Sequence, residues 1–250
     1  CSCHRALLPA PSLKGGKMEP RTADFRTIAR EILRLARLLP VPLTLYVLCA
    51  ATAFSFVDWT FGGAFTWFEA LVLLADGYLV YVLTFLLMAE AGLFADGKRG
   101  GFLAFLLVSL VSDMLIVLGT LALIIPGLIL FARWSPAVCD VLVRNEGVTD
   151  ALGRSWDATS ASMIALLPHA IIGMCGYTAV SLLELLPDRV LGIAPLGFVF
   201  IANVVGAMSV AWGVLLSVAT YRLLMMPLPD HASGDGAGYA PANGAGQSPA

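Results

Sequence analysis

The stretch that decides the fold of this chain is FLAFLLVSLVSDMLIVLGTLALIIPGLILFARWSPAVCDVLV, residues 102–143. It is an apolar block of 42 residues. That is about twice the length one crossing needs, since roughly 20 residues span the hydrocarbon core of a bilayer. Pro126-Gly127 lies near its centre, and such a pair typically ends a helix and turns the chain. The sequence therefore predicts two membrane-spanning helices in a tight hairpin, closed by Pro126-Gly127 at the outer surface.

The composition of the whole chain points to the same solvent. Of its 250 residues, 59% are hydrophobic and 13% are charged, whereas a soluble domain carries roughly 25% charged residues. The net charge of −2 provides no field that favours nucleic acid, which is therefore not expected as a partner. The lipid bilayer is the expected partner of this surface.

We predict an all-α protein, a polytopic transmembrane helix bundle of about six spans with an N-terminal interfacial amphipathic helix. Residues 1–21 are predicted to be a disordered or artefactual N-terminus, because the first methionine is Met18. Residues 22–39 predict the basic amphipathic helix, residues 40–226 the transmembrane domain, and residues 227–250 a disordered tail. The predicted spans are 41–57, 67–89, 102–125, 127–143, 162–186 and 194–224.

Basic residues orient these spans, since cytoplasmic loops carry an excess of Lys and Arg. The N-terminal arm, the loop with Lys98 and Arg99, and the segment with Arg144 and Arg154 are all basic. We therefore predict a multi-pass protein of a bacterial cytoplasmic membrane with both termini cytoplasmic. A single crossing by residues 102–143 would instead place Arg144 and Arg154 outside.

Two charges make the fourth predicted span costly to insert. Arg133 and Asp140 would each cost about +2.5 to +3.5 kcal/mol at a helix centre. We expect this span to enter together with the one before it, and a re-entrant path for residues 127–143 stays open. Arg133 follows the predicted turn by about 9 Å of helix rise, so its side chain is expected to snorkel to the outer surface.

The amphipathic helix has one basic face. Arg26, Arg30, Arg34 and Arg37 recur at spacings of three and four, which places them on one side. The apolar residues of the other side are Phe25, Ile28, Ile32, Leu35 and Leu39, and Asp24 is the expected N-cap. Two interpretations stay open: a helix in the headgroup layer that binds anionic lipid headgroups through its arginines, and a solvated face leading into the first span.

Ionisable side chains inside a membrane are functional candidates by default. The candidates are Asp76 in the second span, Asp113 in the third, Arg133 in the fourth and Glu184 near the outer end of the fifth. In one interpretation, Asp76 and Asp113 form a proton or cation path. In the other, one or both are neutral or paired inside the bundle, with Arg133 as a partner.

No pattern predicts a reaction. Three scattered histidines, His4, His169 and His231, supply neither a metal site nor a Ser-His-Asp triad. We predict no catalytic residue, no metal, no cofactor and no enzyme activity. The segment Thr149–Thr159 predicts a short amphipathic helix at the inner interface, where Trp156 acts as an aromatic anchor or Arg154 binds a ligand.

Four pieces of sequence follow one another in an order that resembles a bacterial membrane family: Ile124-Ile125-Pro126-Gly127-Leu128, Ala132-Arg133-Trp134-Ser135, Asn145-Glu146-Gly147 and Ala151-Leu152-Gly153-Arg154-Ser155-Trp156. The family is the membrane domain of glycerophosphoryl diester phosphodiesterases, with its stand-alone relatives. The motif residues in this chain are Pro126, Gly127, Arg133, Glu146, Arg154, Ser155 and Trp156. Asp157-Ala158-Thr159-Ser160 departs from the family, whose members carry basic residues and a glycine there.

The resemblance implies a multi-pass membrane domain and not an enzyme. In that family the phosphodiesterase activity belongs to a separate barrel domain, which would need roughly 200 or more further residues. The expected function is that of a non-enzymatic integral membrane protein accessory to lipid or envelope homeostasis. The alternative is a small proton- or ion-coupled membrane transporter.

Overall fold

The protein is an all-α helical bundle. The computed structural model describes residues 22–61, 67–94, 100–145, 147–185 and 196–226, and gives only the backbone of Phe61, Tyr177, Leu196 and residues 179–185. Within those ranges 91% of the residues are helical and none lies in a strand. The fold class predicted from the sequence is thus confirmed.

Nine α-helices follow one another along the described chain. They are α1 (Phe25–Leu38), α2 (Pro40–Phe61), α3 (Trp67–Glu90), α4 (Phe102–Ala122), α5 (Ile124–Trp134), α6 (Ala137–Arg144), α7 (Val148–Thr159), α8 (Met163–Leu185) and α9 (Leu196–Thr220). Six stretches are long and apolar enough to cross a membrane: Pro40–Thr60, Trp67–Glu90, Phe102–Ala122, Ile124–Arg144, Val148–Gly176 and Gly197–Met225. The number of spans agrees with the prediction from hydrophobicity.

The hairpin between α4 and α5 turns at Leu123, which is the one extended residue between the two helices. The predicted closure at Pro126-Gly127 is therefore wrong. Pro126 is the third residue of α5, where its missing N–H breaks no helical hydrogen bond. Gly127 packs directly against α4, because a Cβ there would lie 2.8 Å from the amide nitrogen of Thr120. Gly127 thus allows the two helices to approach closely.

The returning arm of this hairpin consists of two helices. It is interrupted at Ser135-Pro136, although Ile124–Arg144 as a whole is long and apolar enough to be the predicted fourth span. Pro136 cannot donate to the helical ladder, and the Ser135 hydroxyl donates instead to the carbonyl of Ala132, 3.2 Å away. The Gly100 amide donates to the Leu142 carbonyl at 2.9 Å. This bond places the end of α6 beside the beginning of α4.

The amphipathic helix α1 packs against α8 and α9. Its N-cap is Asp24, as predicted, because the carboxylate accepts the Thr27 amide at 3.1 Å. Ile28, Ile32 and Leu35 are at most 1% exposed and belong to the protein core. An apolar face lying in the headgroup layer is therefore wrong for these three residues, since the bundle covers them.

An ion pair fixes the other side of α1. Glu31 pairs with Arg222, which follows α9 in a short π-helical turn, and with Arg34 of its own helix. Helix α9 packs on α1, α2, α3 and α8. The core of the bundle therefore lies around α9, where Leu216, Val218 and Ala219 are fully buried.

Candidate functional site

A cavity of about 640 Å³ lies between α3, α4, α5, α6, α8 and α9. Its walls are mostly apolar, with a ring of hydroxyls and one carboxylate. The lining residues are Val80, Thr84, Phe105, Ser109, Ser112, Asp113, Ile116, Val117, Thr120, Leu121, Phe131, Trp134, Ser135, Val138, Gly173, Met174, Thr178, Ser209, Val210, Gly213, Val214 and Ser217. Sites for small ligands have volumes of roughly 300–1,000 Å³ and this mixture of apolar walls with few polar groups.

Asp113 carries the one ionisable group of this cavity. It is the twelfth of the 21 residues of α4, so it lies close to the middle of that span. Its side chain is exposed, and none of the lining side chains is basic. No ion pair of Asp113 occurs among the described residues.

Asp76 lies elsewhere. It does not line the cavity, and the polar group beside it is the hydroxyl of Tyr46 on α2, whose side chain is 5% exposed. The structure therefore does not gather Asp76 and Asp113 into one site. The sequence also singled out Glu184 and Glu146. Only the backbone of Glu184 is described, and Glu146 lies outside the described residues.

Arg133 contacts Trp156 on α7. Its Nη1 donates to the Trp156 carbonyl at 3.0 Å, and its guanidinium carbon lies 4.2 Å from the centre of the indole ring. The Ser155 hydroxyl donates to the backbone carbonyl of Arg133. Among the described residues Arg133 pairs with neither Asp76 nor Asp113.

One of the two predicted positions, Arg133 at the outer surface or Trp156 at the inner surface, is therefore wrong. Residues predicted at opposite membrane surfaces, Arg133 outside and Trp156 inside, are in contact. The physical reason is the course of α7, which packs along α5 and α6 and buries Ala151, Ser155 and Thr159. The N-cap of α7 is Gly147, two residues after Asn145, which has a left-handed conformation with φ of 52°.

Asp140 is a buried ion-pair residue that the sequence indicated only as a charge costly to insert. It is fully buried, with Arg144 Nε 3.0 Å from its Oδ1 and Arg154 Nε 2.8 Å from its Oδ2. The i, i+4 spacing of Asp140 and Arg144 could have revealed the first contact. Nothing in the sequence indicates the second, because α7 and α6 meet only in the folded chain. Arg154 thus holds α7 on α6.

Two further polar contacts join helices. Asn203 Nδ2 on α9 donates to Asp58 at 2.8 Å and to Ser55 at 3.2 Å on α2. His169 Nε2 lies 3.3 Å from the Phe25 carbonyl, and its ring stacks on the Phe25 ring with centroids 4.5 Å apart. Both contacts connect neighbouring helices and leave the cavity untouched.

A smaller concave region of about 390 Å³ lies on the side of α1 that faces away from the bundle. It is lined by Arg30, Leu33, Arg34, Arg37 and Leu38. In the described part of the chain, no group of three or more His, Cys, Asp or Glu side chains lies close enough to hold a metal ion.

Comparison with known proteins gives no relative: no protein-family model, no curated protein and no solved structure matches this chain significantly. The resemblance to the phosphodiesterase membrane domain consequently stays a prediction based on residues 124–156.

Proposed function

We propose that this chain is a non-enzymatic integral membrane protein that binds a membrane amphiphile in the cavity beside Asp113. Its role would be accessory to lipid or envelope homeostasis. The observation that carries the proposal is the cavity itself, about 640 Å³ and lined by six helices of a membrane bundle. Apolar walls with a few polar groups suit a molecule that has a hydrocarbon chain and a polar head.

Lateral access supports a ligand from the bilayer. Val117 and Leu121 line the cavity, yet they are 52% and 78% exposed on the surface of α4. In a membrane that surface faces acyl chains. A lipid-like molecule would therefore enter sideways, without its chain passing through water.

Two variants on one helix test the binding of a lipid. Val117→Trp places a large ring at the mouth of the cavity, whereas Leu110→Trp places the same ring on the exposed surface of α4, away from the lining. Protein extracted with its surrounding lipid in polymer discs is analysed by mass spectrometry. We expect the wild type and Leu110→Trp to retain one enriched amphiphile per protein and Val117→Trp to lose it. Identical lipid profiles in all three would refute the proposal.

The resemblance and the charge pattern complete the proposal. The chain would be a relative of the phosphodiesterase membrane domain, in a bacterial cytoplasmic membrane with both termini cytoplasmic. The surplus of Lys and Arg in the N-terminal arm and around residues 98–99 supports this orientation. Deletion of the gene followed by lipid analysis of the membrane would test the role in lipid homeostasis.

Anionic headgroups would bind on the side of α1 that faces away from the bundle. Arg26, Arg30, Arg34 and Arg37 are exposed there, next to Leu33 and Leu38, which are 55% and 40% exposed. Arginines at headgroup level with leucines beside them are typical of an interfacial helix. Replacing Arg30 and Arg37 by Gln should reduce co-purified phosphatidylglycerol without changing the amphiphile held in the cavity.

A proton- or cation-coupled transporter is the second candidate. It is favoured by one observation, an ionisable carboxylate in a cavity at the middle of a span. In proteoliposomes, transport would require Asp113, so Asp113→Asn should abolish substrate-dependent proton or ion movement. Asp76 lies outside the cavity, and Asp76→Asn distinguishes a path through both carboxylates from one through Asp113 alone.

A further inference from the structure

The hydroxyls of the cavity are oriented alike. Eight serine and threonine side chains line it, and seven of them donate their proton to a backbone carbonyl of their own helix. The seven donors and their distances are Thr84 (2.7 Å), Ser112 (2.9 Å), Thr120 (2.8 Å), Ser135 (3.2 Å), Thr178 (2.7 Å), Ser209 (3.0 Å) and Ser217 (2.8 Å). Each acceptor lies three or four residues earlier in the chain, as is common for hydroxyls inside helices.

This orientation decides what the wall offers to a ligand. A hydroxyl has one proton and two lone pairs, so a hydroxyl that has used its proton presents only acceptors. Asp113 adds two carboxylate oxygens when ionised, and none of the lining side chains is basic. Apart from the indole N–H of Trp134 and the O–H of Ser109, the side-chain polar groups of the lining are therefore hydrogen-bond acceptors.

A wall of acceptors discriminates by charge and by donor capacity. An anionic or acceptor-only head, such as a phosphodiester, would face the Asp113 carboxylate and oxygen lone pairs, with only the Trp134 N–H and the Ser109 O–H as side-chain donors. A protonated amine has several N–H donors and a positive charge, and charge-assisted hydrogen bonds to a carboxylate are the strong ones. Around Asp113 such a head would meet Ser109, one turn earlier on the same face of α4.

The apolar walls determine the rest of the ligand. Beyond Asp113, α4 lines the cavity with Ile116, Val117 and Leu121, which lead toward the turn at Leu123. These side chains offer nothing to a small hydrated cation but do suit a hydrocarbon chain. We infer that the cavity selects an amphiphile with a protonated amine head, which binds Asp113 and the acceptor hydroxyls while its chain lies along Ile116 and Val117.

This inference rests on the proposed amphiphile site, and one titration separates the two. Native mass spectrometry of the full chain in detergent would count bound dodecylamine, dodecanol and ethylamine at pH 7. The first two share a chain and differ in charge, and the third is an amine with almost no chain. We expect dodecylamine to bind at a concentration about tenfold or more below that of dodecanol, and ethylamine not to bind.

Substitutions of Asp113 and Asp76 test which carboxylate causes the preference for dodecylamine over dodecanol. Asp113→Asn should reduce dodecylamine binding about tenfold, to the level of dodecanol, and leave dodecanol unchanged. Asp113→Glu should restore the preference, which guards against a variant that merely misfolds. Asp76→Asn removes a carboxylate outside the cavity and should leave the preference for dodecylamine unchanged.

Each other outcome has one meaning. Equal binding of dodecylamine and dodecanol would overturn the amine preference and leave the amphiphile site standing. Ethylamine binding as tightly as dodecylamine would show a small-cation site and overturn the inference. Failure of both chains to bind would overturn the proposed function together with the inference.

Discussion

The guanidinium of Arg133 lies 4.2 Å from the centre of the Trp156 ring, and its Nη1 donates to the carbonyl of the same tryptophan at 3.0 Å. One residue thus joins α5 to α7 through a ring face and a backbone oxygen. The contact stabilises a charge that has no acidic partner among the described residues. A cation over an indole contributes about 0.5–2 kcal/mol, depending on how far it is desolvated.

Arg133→Met should lower the free energy of unfolding by about 1–3 kcal/mol, because it removes the cation–π contact and a charged hydrogen bond. Trp156→Leu removes the ring but keeps the backbone carbonyl. The double variant should therefore cost less than the sum of the single variants, by about 1 kcal/mol. Thermal unfolding in detergent measures all four proteins. Strict additivity would show that the ring contact contributes nothing.

Gly127→Ala should destabilise the α4–α5 hairpin by about 1–3 kcal/mol, because the added Cβ would press on the backbone of Thr120 at 2.8 Å. Gly153→Ala is the matched control, since a Cβ on that helical glycine meets nothing within 4 Å. It should stabilise α7 by up to about 1 kcal/mol through helix propensity. Similar unfolding temperatures for the two variants would contradict the close packing at Gly127.

Asp140→Asn should be among the most damaging single changes, at about 3–5 kcal/mol, because it leaves two arginine side chains around a buried neutral group. Asp157→Asn on the exposed side of α7 removes the same charge and should be close to neutral. Expression yield and unfolding temperature test the pair. An Asp140→Asn protein as stable as the wild type would mean that the ion pair does not hold α7 on α6.

Asp24 makes the docking of α1 depend on pH. The hydrogen bond from Thr27 holds the pKa of this carboxyl below its ordinary value of 3.8. The carboxylate therefore stabilises α1 above that value, and the stabilisation is lost as the pH falls through the lowered pKa. The protection of residues 25–38 from hydrogen exchange, corrected for the intrinsic pH dependence of exchange, should fall at low pH in the wild type but not in Asp24→Asn, whose amide oxygen caps the helix at every pH. An identical pH response of both proteins would exclude this cap as the cause.

The hairpin predicts opposite sides of the membrane for its turn at Leu123 and for the end of its returning arm at Asn145. Single cysteines at Leu123 and at Asn145, in a background without the native cysteines, should react with a membrane-impermeant thiol reagent from opposite sides of the membrane. The two positions are separated by α5 and α6, about 30 Å of helix rise at 1.5 Å per residue. Labelling of both positions from one side would show a re-entrant arm.

Much of the fold could be predicted from local sequence. The six apolar stretches, the cap at Asp24 and the basic face of α1 follow from residue type and spacing alone. The break at Ser135-Pro136 could also have been predicted, because proline cannot continue the hydrogen-bond ladder of a helix. The turn was instead predicted at Pro126-Gly127. A proline in the first turn of a helix and a proline in a loop between two helices cannot be distinguished from the sequence alone.

The candidate site was predicted only in part. Asp113 stood out as a charge inside a span, but its separation from Asp76 and the surrounding hydroxyls depends on which helices are neighbours. From the sequence, Asp140 was interpreted only as a charge that makes membrane insertion costly, whereas the structure places Arg154 beside it. Arg133 was expected at a surface because its interhelical partner, Trp156, lies 23 residues further along the chain.

The sequence by itself determined that this chain crosses a membrane as a bundle of helices, since length and hydrophobicity are properties of each segment alone. Only the tertiary structure decided that the apolar face of α1 is covered by protein, that Arg133 meets Trp156, and that six helices line a cavity beside Asp113. The physical reason is that lipid tails are as apolar as leucine, so hydrophobicity brings a helix into the bilayer without choosing its neighbours. Close packing and a few interhelical polar contacts make that choice.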